Sequence, residues 1–394
     1  MHQISIIQKA LSDKIHKARA KVLKQMVQAC FLSKSLTVTN LGRALSSSTT
    51  ERDGIKKADR FLSNDNMYED YPTICKMITA NLIQERSYPW ILVDWTKSPH
   101  NDFQVLRAGL VGNGRAITLY EEVHPEKKLG NAKVHKEFLY KLQTLLPIDC
   151  RPIIITDAGF GVPWFKAVIN LAWDYVGRVR GHKYYTCDGE EWLKIQDFQS
   201  KKPYAPQYKG SILFTKQSKF KTDLYVTKEK LKGRHALNRK GNIRKNTSSK
   251  EKSKAANEPL CLVTSLSKQS NTPNQVVTIY KTRMQIEEAF RDLKSTAYGF
   301  GLEHTLSYKP KRILMLLMIA MLAFFIPYIT GRIAEQKKLH LQFQASSIKH
   351  KRILSFVYLG RRIIERYLQG RLPFKLDILE CKPANTLEML GILA

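Results

Sequence analysis

The sequence predicts an α/β protein whose central sheet is interrupted by an insertion and flanked by helical ends. Three observations predict it. Apolar strand-like runs cluster between residues 90 and 181. Stretches with apolar residues at helical spacing lie on both sides of that cluster. Between 183 and 276 the order gives way to short aromatic runs and a long basic stretch.

A chain of 394 residues can bury a sizeable core, in two or three domains. Lys+Arg number 65 against 34 Asp+Glu, a net charge of +31. That excess points to a polyanion, most simply nucleic acid, with an anionic membrane surface as the alternative. Cys30, Cys75, Cys150, Cys187, Cys261 and Cys381 are scattered, with no CxxC pair. A zinc site is therefore not expected, and a reducing, cytoplasmic setting is. The opening residues lack the continuous apolar core of a signal peptide.

Residues 1–86 read as a helical DNA-binding domain. Thr39 is expected to cap a short helix within 36–46, and Arg52, Lys56, Lys57 and Arg60 give the next helix a basic face. Short helices with turns between them resemble a helix-turn-helix bundle. A plain packing or dimerisation domain is the competing reading.

From Tyr88 the pattern changes. Residues 90–95, 103–111 and 115–123 read as strands, the last two joined by the hairpin signal Gly112-Asn113-Gly114. A helix over 134–146 follows, then a buried strand within 152–160, a helix from Trp164 to Leu171, and a strand over 173–181. Three strands, a helix and a fourth strand begin a ribonuclease-H-like sheet, in which the first and fourth strands are neighbours. Asp94 and Asp157 end those two strands. Carboxylates on such apolar strands are costly to bury unless neutralised. A divalent cation neutralises them, and oxygen ligands suit Mg²⁺ or Mn²⁺. Each acid alone reads as well as a helix cap. Within the interruption, 210–217 and 222–228 read as strands and 228–254 as a flexible basic loop. Residues 258–266 return as a strand.

Tyr280 to Lys294, YKTRMQIEEAFRDLK, contains no proline or glycine and predicts one helix. At about 100° per residue, Tyr280, Arg283, Glu287, Arg291 and Lys294 share a face. Ile279, Ile286, Phe290, Leu293 and Ala297 form the neighbouring apolar stripe. One acid among bases suits a carboxylate holding a metal beside a phosphate. The plainer reading is a solvated face with a Glu287–Arg291 pair. Beyond it, Ile313 to Ile329 is apolar for 17 residues. That is the short edge of the roughly 17–25 residues a membrane span needs, and a buried helix is expected. Residues 350–370 carry Arg361, Arg362 and Arg366 on a helical pattern that would meet DNA or a second subunit. His100, His124 and His135 lie near the candidate acids in sequence and are expected to be surface or packing residues.

Tyr280, Arg283, Glu287 and Lys294 meet the pattern Y-x2-R-x3-E-x6-K. With TDAGFGVPWFKAV at 156–168 and RVRG at 178–181, this resembles the DDE transposases of the insertion-sequence-four family, the bacterial hairpin-forming group. The resemblance covers about 90–310. It implies that Asp94, Asp157 and Glu287 form a metal-binding catalytic triad holding Mg²⁺, or Mn²⁺, as two ions. It implies a β-rich insertion between the second aspartate and the glutamate, which the interrupted sheet matches. It implies phosphate contacts by Tyr280, Arg283 and Lys294 near the cut end, with Met284 as a probe of the distorted base. Arg291, Arg178 and Arg180 complete the expected DNA contacts. Leu260 stands where the family often has a base-stacking tryptophan, and a leucine offers apolar contact without a π face.

The expected partners are transposon ends and target DNA, with a homodimer in the synaptic complex and no membrane. The expected location is the bacterial cytoplasm, at the nucleoid. The corresponding domain reading is 1–86 helical and DNA-binding, 87–184 the first part of the catalytic domain, and 185–276 the basic insertion. The second catalytic part is 277–335, and 336–394 is a helical region for DNA contact or dimerisation. A nuclease of the same fold and an inactive DNA-binding copy are the alternatives, with a basic membrane protein as the outsider.

Overall fold

The computed structural model describes residues 14–33, 35–45, 50–84, 86–98, 102–198, 204–229, 258–296, 299–369 and 371. His100, Ala297, residues 1–13 and all of the basic stretch from 230 to 254 lie outside the described residues. In chain order the helices are α1 (Lys17–Ser33), α2 (Val38–Arg43), α3 (Glu51–Leu62) and α4 (Asp65–Ile83). Then come β1 (Trp90–Lys97), β2 (Phe103–Val111), β3 (Ala116–Pro125) and α5 (Ala132–Leu145). They are followed by β4 (Ile153–Thr156), α6 (Val162–Asn170), β5 (Asp174–Val179), β6 (Tyr184–Thr186) and β7 (Leu193–Lys194). Next are β8 (Tyr204–Phe214), β9 (Phe220–Lys228), β10 (Leu260–Thr264), α7 (Pro273–Lys281) and α8 (Met284–Lys294). The last two helices are α9 (Pro310–Gln336) and α10 (Phe356–Leu368).

The chain forms two compact units, one of residues 1–150 with 284–394 and the other of residues 151–283. In the first unit β3, β2 and β1 lie side by side and antiparallel. Strand alternation assigns the two faces. Trp95 of β1 gives its indole N–H to His135 of α5 at 3.0 Å, and Tyr120 of β3 packs on Phe138 of α5 with centroids 5.3 Å apart. These residues mark the α5 face. Arg107 of β2 lies on the other face, its guanidinium 4.5 Å from the ring centre of Phe290 on α8. A bulge between Ala108 and Gly109 shifts the β2–β3 register, so Arg107 stands opposite Glu121.

α9 is the core of this unit. Among the described residues it is the one helix long and apolar enough to cross a membrane, and 89% of its most apolar window is buried inside the protein. The expected buried helix is what is observed. Gly331 of α9 and Gly360 of α10 are the points of closest approach. A Cβ on Gly331 would run into the Phe356 carbonyl, and one on Gly360 into the Pro327 carbonyl. At its start α9 is tied to the N-terminal helices by Lys311–Asp65 and Arg312–Asp59, each 2.7 Å.

Two readings of this unit need correction. Thr37, not Thr39, caps α2: its hydroxyl accepts from the Asn40 N–H at 3.3 Å, one turn ahead. Arg361 does not face solvent. It is buried and donates to the Gly299 carbonyl.

In the second unit the strand order is β4-β5-β10-β9-β8-β6-β7. β4 and β5 are parallel, joined through α6, and the remaining pairs are antiparallel. The run Ile153-Ile154-Ile155-Thr156 is buried throughout, as a central strand covered on both faces should be. Gly161 and Pro163 open α6, and Phe165 stacks on Tyr175 at 4.6 Å between centroids. Gly177 makes that stack fit, because a Cβ there would stand 2.5 Å from the Phe165 ring.

Candidate active site

Each unit carries its own acid-and-base group. In the first, Asp94 is the fifth residue of β1 rather than its end. The strand continues because Asp94 pairs in register with Arg107, and Trp95, Thr96 and Lys97 keep pairing to β2. Cross-strand partners leave the same face. Asp94 and Arg107 therefore share the face that carries Phe290. Thr96, two residues on, lies on that face as well, and its hydroxyl accepts from the Lys294 ammonium at 2.7 Å.

α8 is held against this face at three points. Gln285 accepts from the Gly112 N–H at 3.0 Å, Asp292 binds Arg115 at 2.6 Å, and Lys294 binds Thr96. Gly112 follows β2 past the partner of Ile91, so α8 starts beside the beginning of β1 and ends toward its far end. Glu287 lies in the first turn of α8, is exposed, and stands one turn before Phe290. A helix N-terminus favours a carboxylate. Glu287 and Lys294 are thus presented along the side of the sheet that carries Asp94. Burial and the nearby Arg107 charge push the Lys294 ammonium below its ordinary range, partly offset by Glu303. Met284 opens α8 and is half exposed. Arg291 is exposed and pairs with Glu288.

The predicted single helix is two helices. α7 ends at Lys281 and α8 starts at Met284. Between them the backbone tightens into three-residue turns: Thr282 N bonds Ile279 O at 3.2 Å and Arg283 N bonds Tyr280 O at 3.0 Å. The Thr282 hydroxyl also takes the Ile279 carbonyl at 2.6 Å, competing with the helical ladder. Tyr280 and Arg283 therefore belong to the second unit, and Glu287, Arg291 and Lys294 to the first.

In the second unit Asp157 directly follows β4, and its carboxylate accepts the Gly159 N–H at 2.8 Å. Tyr280 is buried, with the Arg283 guanidinium 6.0 Å from its ring centre. Burial pushes the Tyr280 hydroxyl up, while the charges of Arg283 and Arg178 pull it down and Asp157 pushes it up. These four residues share one electrostatic neighbourhood. Arg178 pairs in register with Leu262 on β10, and its Nε is buried without a hydrogen-bond partner. An unsatisfied guanidinium donor near a tyrosine hydroxyl suits a phosphate oxygen. Arg180 is exposed just past β5, and Leu260 is the half-buried first residue of β10.

Sequence reading missed two residues. Lys183 is half-buried, 5.9 Å from the ring centre of Phe214, and burial lowers its ammonium while Asp157 raises it. Its signal was the basic run that continues past RVRG through the positive-φ turn at Gly181. Arg107 is the other, and only strand register reveals it. His124 and His135 are packing residues, as expected. His124 binds Glu122 at 2.7 Å, while His135 is buried and accepts from Trp95.

The carboxylates of Asp94 and Glu287 in one unit and Asp157 in the other are hard oxygen donors of the kind Mg²⁺ and Mn²⁺ take. Among the described residues no three His, Cys, Asp or Glu side chains are grouped as a metal site.

The α/β framework presents exposed or half-buried acids and bases in each unit, residue types that phosphoryl transfer uses. The family described as "Transposase DDE domain" matches residues 119–326, just over half of the chain, from within β3 into α9. The chain belongs to that family: it is a DDE transposase, an enzyme that cleaves DNA and transfers its strands. No curated protein matches the chain. A solved structure described as a cryo-EM structure of the piggyBac transposase synaptic complex with hairpin DNA aligns with a TM-score of 0.42 and 12% identity. That alignment covers 94% of this chain and 76% of the other.

Proposed function

We propose that this transposase belongs to the insertion-sequence-four group and moves a bacterial element by a cut-and-paste route, as its likeness to the transposase of transposon Tn-ten suggests. It binds terminal inverted repeats, and its catalytic domain is ribonuclease-H-like. The observation that carries the reading is that α8 lays Glu287 and Lys294 along the sheet face that bears Asp94.

Asp94, Asp157 and Glu287 are the residues that would hold Mg²⁺ or Mn²⁺. Such ions, when bound, would neutralise the charge that develops on the phosphoryl oxygens. Tyr280, whose hydroxyl burial pushes above its ordinary range, donates to a phosphate oxygen near the cut end. Arg178 and Arg283 bind the same backbone, and Lys294 adds a charge fixed in place by Thr96. The Lys and Arg groups stabilise charge as it develops on the phosphoryl oxygens.

Water attacks first and releases a 3′-hydroxyl. That hydroxyl attacks the opposite strand to close a hairpin, a second water opens it, and the 3′-hydroxyl then joins target DNA. Every step is a phosphoryl transfer, so one set of acids serves them all. Met284, half exposed at the head of α8, and Leu260 supply apolar contact to a base displaced during hairpin closure. A homodimer binds one element end per subunit, and residues 1–86 make sequence contacts.

The test is a cleavage assay on a duplex carrying the element's own end, with Mg²⁺ and with EDTA, read on a denaturing gel. Mg²⁺-dependent nicks followed by a hairpin-sized product are expected. Nicks without hairpins would keep the acids and remove the hairpin route. In Glu287→Gln, end binding should persist and cleavage disappear; substantial Mg²⁺-dependent cutting by that variant would sink the assignment.

A further inference from the structure

Three residues stand in one cross-strand rung: Asp94 on β1 opposite Arg107 on β2, and Arg107 opposite Glu121 on β3. The two inner partners are almost fully enclosed. The Arg107 side chain is 5% exposed and that of Glu121 is 1% exposed, with Nη2 to Oε1 at 2.6 Å and Nε to the same oxygen at 2.7 Å. The pair is anchored from behind. The Tyr71 hydroxyl of α4 takes the Glu121 N–H at 2.9 Å and donates to the Glu121 carbonyl at 3.2 Å.

A buried pair of this kind is an expensive way to fill space, since an apolar pair of the same volume is often as stable or more so. Its geometry shows what it adds. Glu121 occupies one side of a guanidinium that has five donors. Arg107 also stands in register opposite Asp94, whose carboxylate accepts the Trp95 N–H at 2.8 Å, and its flat face carries Phe290, one turn after Glu287. Arg107 also acts on Lys294 through its charge. One residue therefore stands opposite Asp94 in the sheet and packs on the turn of α8 that follows Glu287.

We propose that Arg107, held by Glu121, is a positioning residue for the metal-holding acids. It fixes the orientation of the Asp94 carboxylate and seats the turn of α8 that presents Glu287. The proposal rests on the reading of Asp94 and Glu287 as metal-holding residues. Partners behind the residues that bind a metal commonly change its affinity by about 10–100-fold when removed.

The experiment uses the full chain bound to a duplex carrying the element's end. Mn²⁺ binding is read from loss of the free-ion EPR signal, and Mg²⁺ dependence from cleavage. The first variant is the double substitution Arg107→Met with Glu121→Leu, which replaces the ion pair by apolar groups. It should melt near the parent temperature and bind DNA as before, with Mn²⁺ affinity about 10–100-fold lower and cleavage partly restored at high Mn²⁺. Arg107→Lys, which keeps a charge but loses the planar fork, serves where the double variant does not fold, and it too should bind Mn²⁺ more weakly. Parent-like Mn²⁺ affinity in a folded variant overturns the proposal. Asp94→Asn separates the two failures. If it keeps parent-like Mn²⁺ binding, the metal reading itself falls. If it loses binding while the Arg107 variants keep it, only the positioning role falls.

Discussion

Arg115, at the β2–β3 turn, meets Asp292 on the buried side of α8 at 2.6 Å. Asp292 is 2% exposed, and burial raises its carboxyl above the usual range even with Arg115 pulling it down. The pair ties the helix that presents Glu287 to the sheet. Arg115→Met strands a buried acid, and a loss of about 3–5 kcal/mol is expected. Urea denaturation measures it. Adding Asp292→Asn should return part of the loss, whereas a deficit unchanged by the second substitution would show that the ion pair is not its source.

His135 predicts an acid-side loss of stability. Burial, helped by the His124 charge, lowers its pKa from 6.5 to about 4. The folded protein therefore declines a proton that the unfolded chain accepts. Stability is retained above about pH 6.5 and declines as pH falls toward 4, by about 3 kcal/mol in all from this residue. Protonation would also place two donors face to face, since Trp95 donates to the ring nitrogen of His135. His135→Gln keeps an acceptor and cannot titrate, so its stability profile between pH 4 and 6.5 should be flatter than the parent's. Indole fluorescence and chemical denaturation across that window check both points.

The α9–α10 crossing has no room for a methyl group. Gly360→Ala drives a Cβ into the Pro327 carbonyl, and backbone cannot yield as a side chain can. A loss of at least about 1–3 kcal/mol is expected, as for overpacked cores. Thermal melting reads it, and Gly114→Ala is the comparison because its left-handed turn (φ 80°) has open space around it and only backbone strain to add.

Arg178 and Arg180 separate a built contact from a surface charge. Arg178 holds a buried, unsatisfied Nε, while Arg180 is exposed. Arg178→Ala should weaken binding to the element's end and lower the dependence of log K on log salt by about one unit. Arg180→Ala should have the smaller effect at physiological salt. Fluorescence anisotropy over a salt series decides, and equal losses would remove the distinction.

Much of the framework was legible because β strands written as apolar runs are hard to mistake. The limits of β2 were read to the residue, and β1, β3, β4, β5, β9 and β10 within a few positions. The helix break at Thr282–Arg283 was not legible, since it comes from a threonine hydroxyl taking a backbone carbonyl rather than from glycine or proline. Arg107 was hidden for a subtler reason. An unbroken count from the Gly112–Gly114 turn pairs it with Tyr120 on the opposite face. The bulge at Ala108–Gly109 moves the pairing one residue, to Glu121. A one-residue shift exchanges which face of β3 stands opposite, so the sequence did not set an acid beside Arg107. The nearness of Lys183 to Asp157 was hidden because it depends on the turn at Gly181.

The first unit is written in two pieces of chain separated by residues 151–283. Ribosomes add about 5–20 residues per second in bacteria-like conditions, so the later piece emerges on the order of ten seconds after the earlier one. During that interval β1–β3 exist without Phe290 over Arg107 and without α9 against β3. Contacts of such sequence separation close slowly. The nascent chain therefore holds the Asp94–Arg107–Glu121 rung before Phe290 is there to pack on it. Glu287 is the last of the three proposed metal-holding acids to be synthesised, and α9 and α10 follow it.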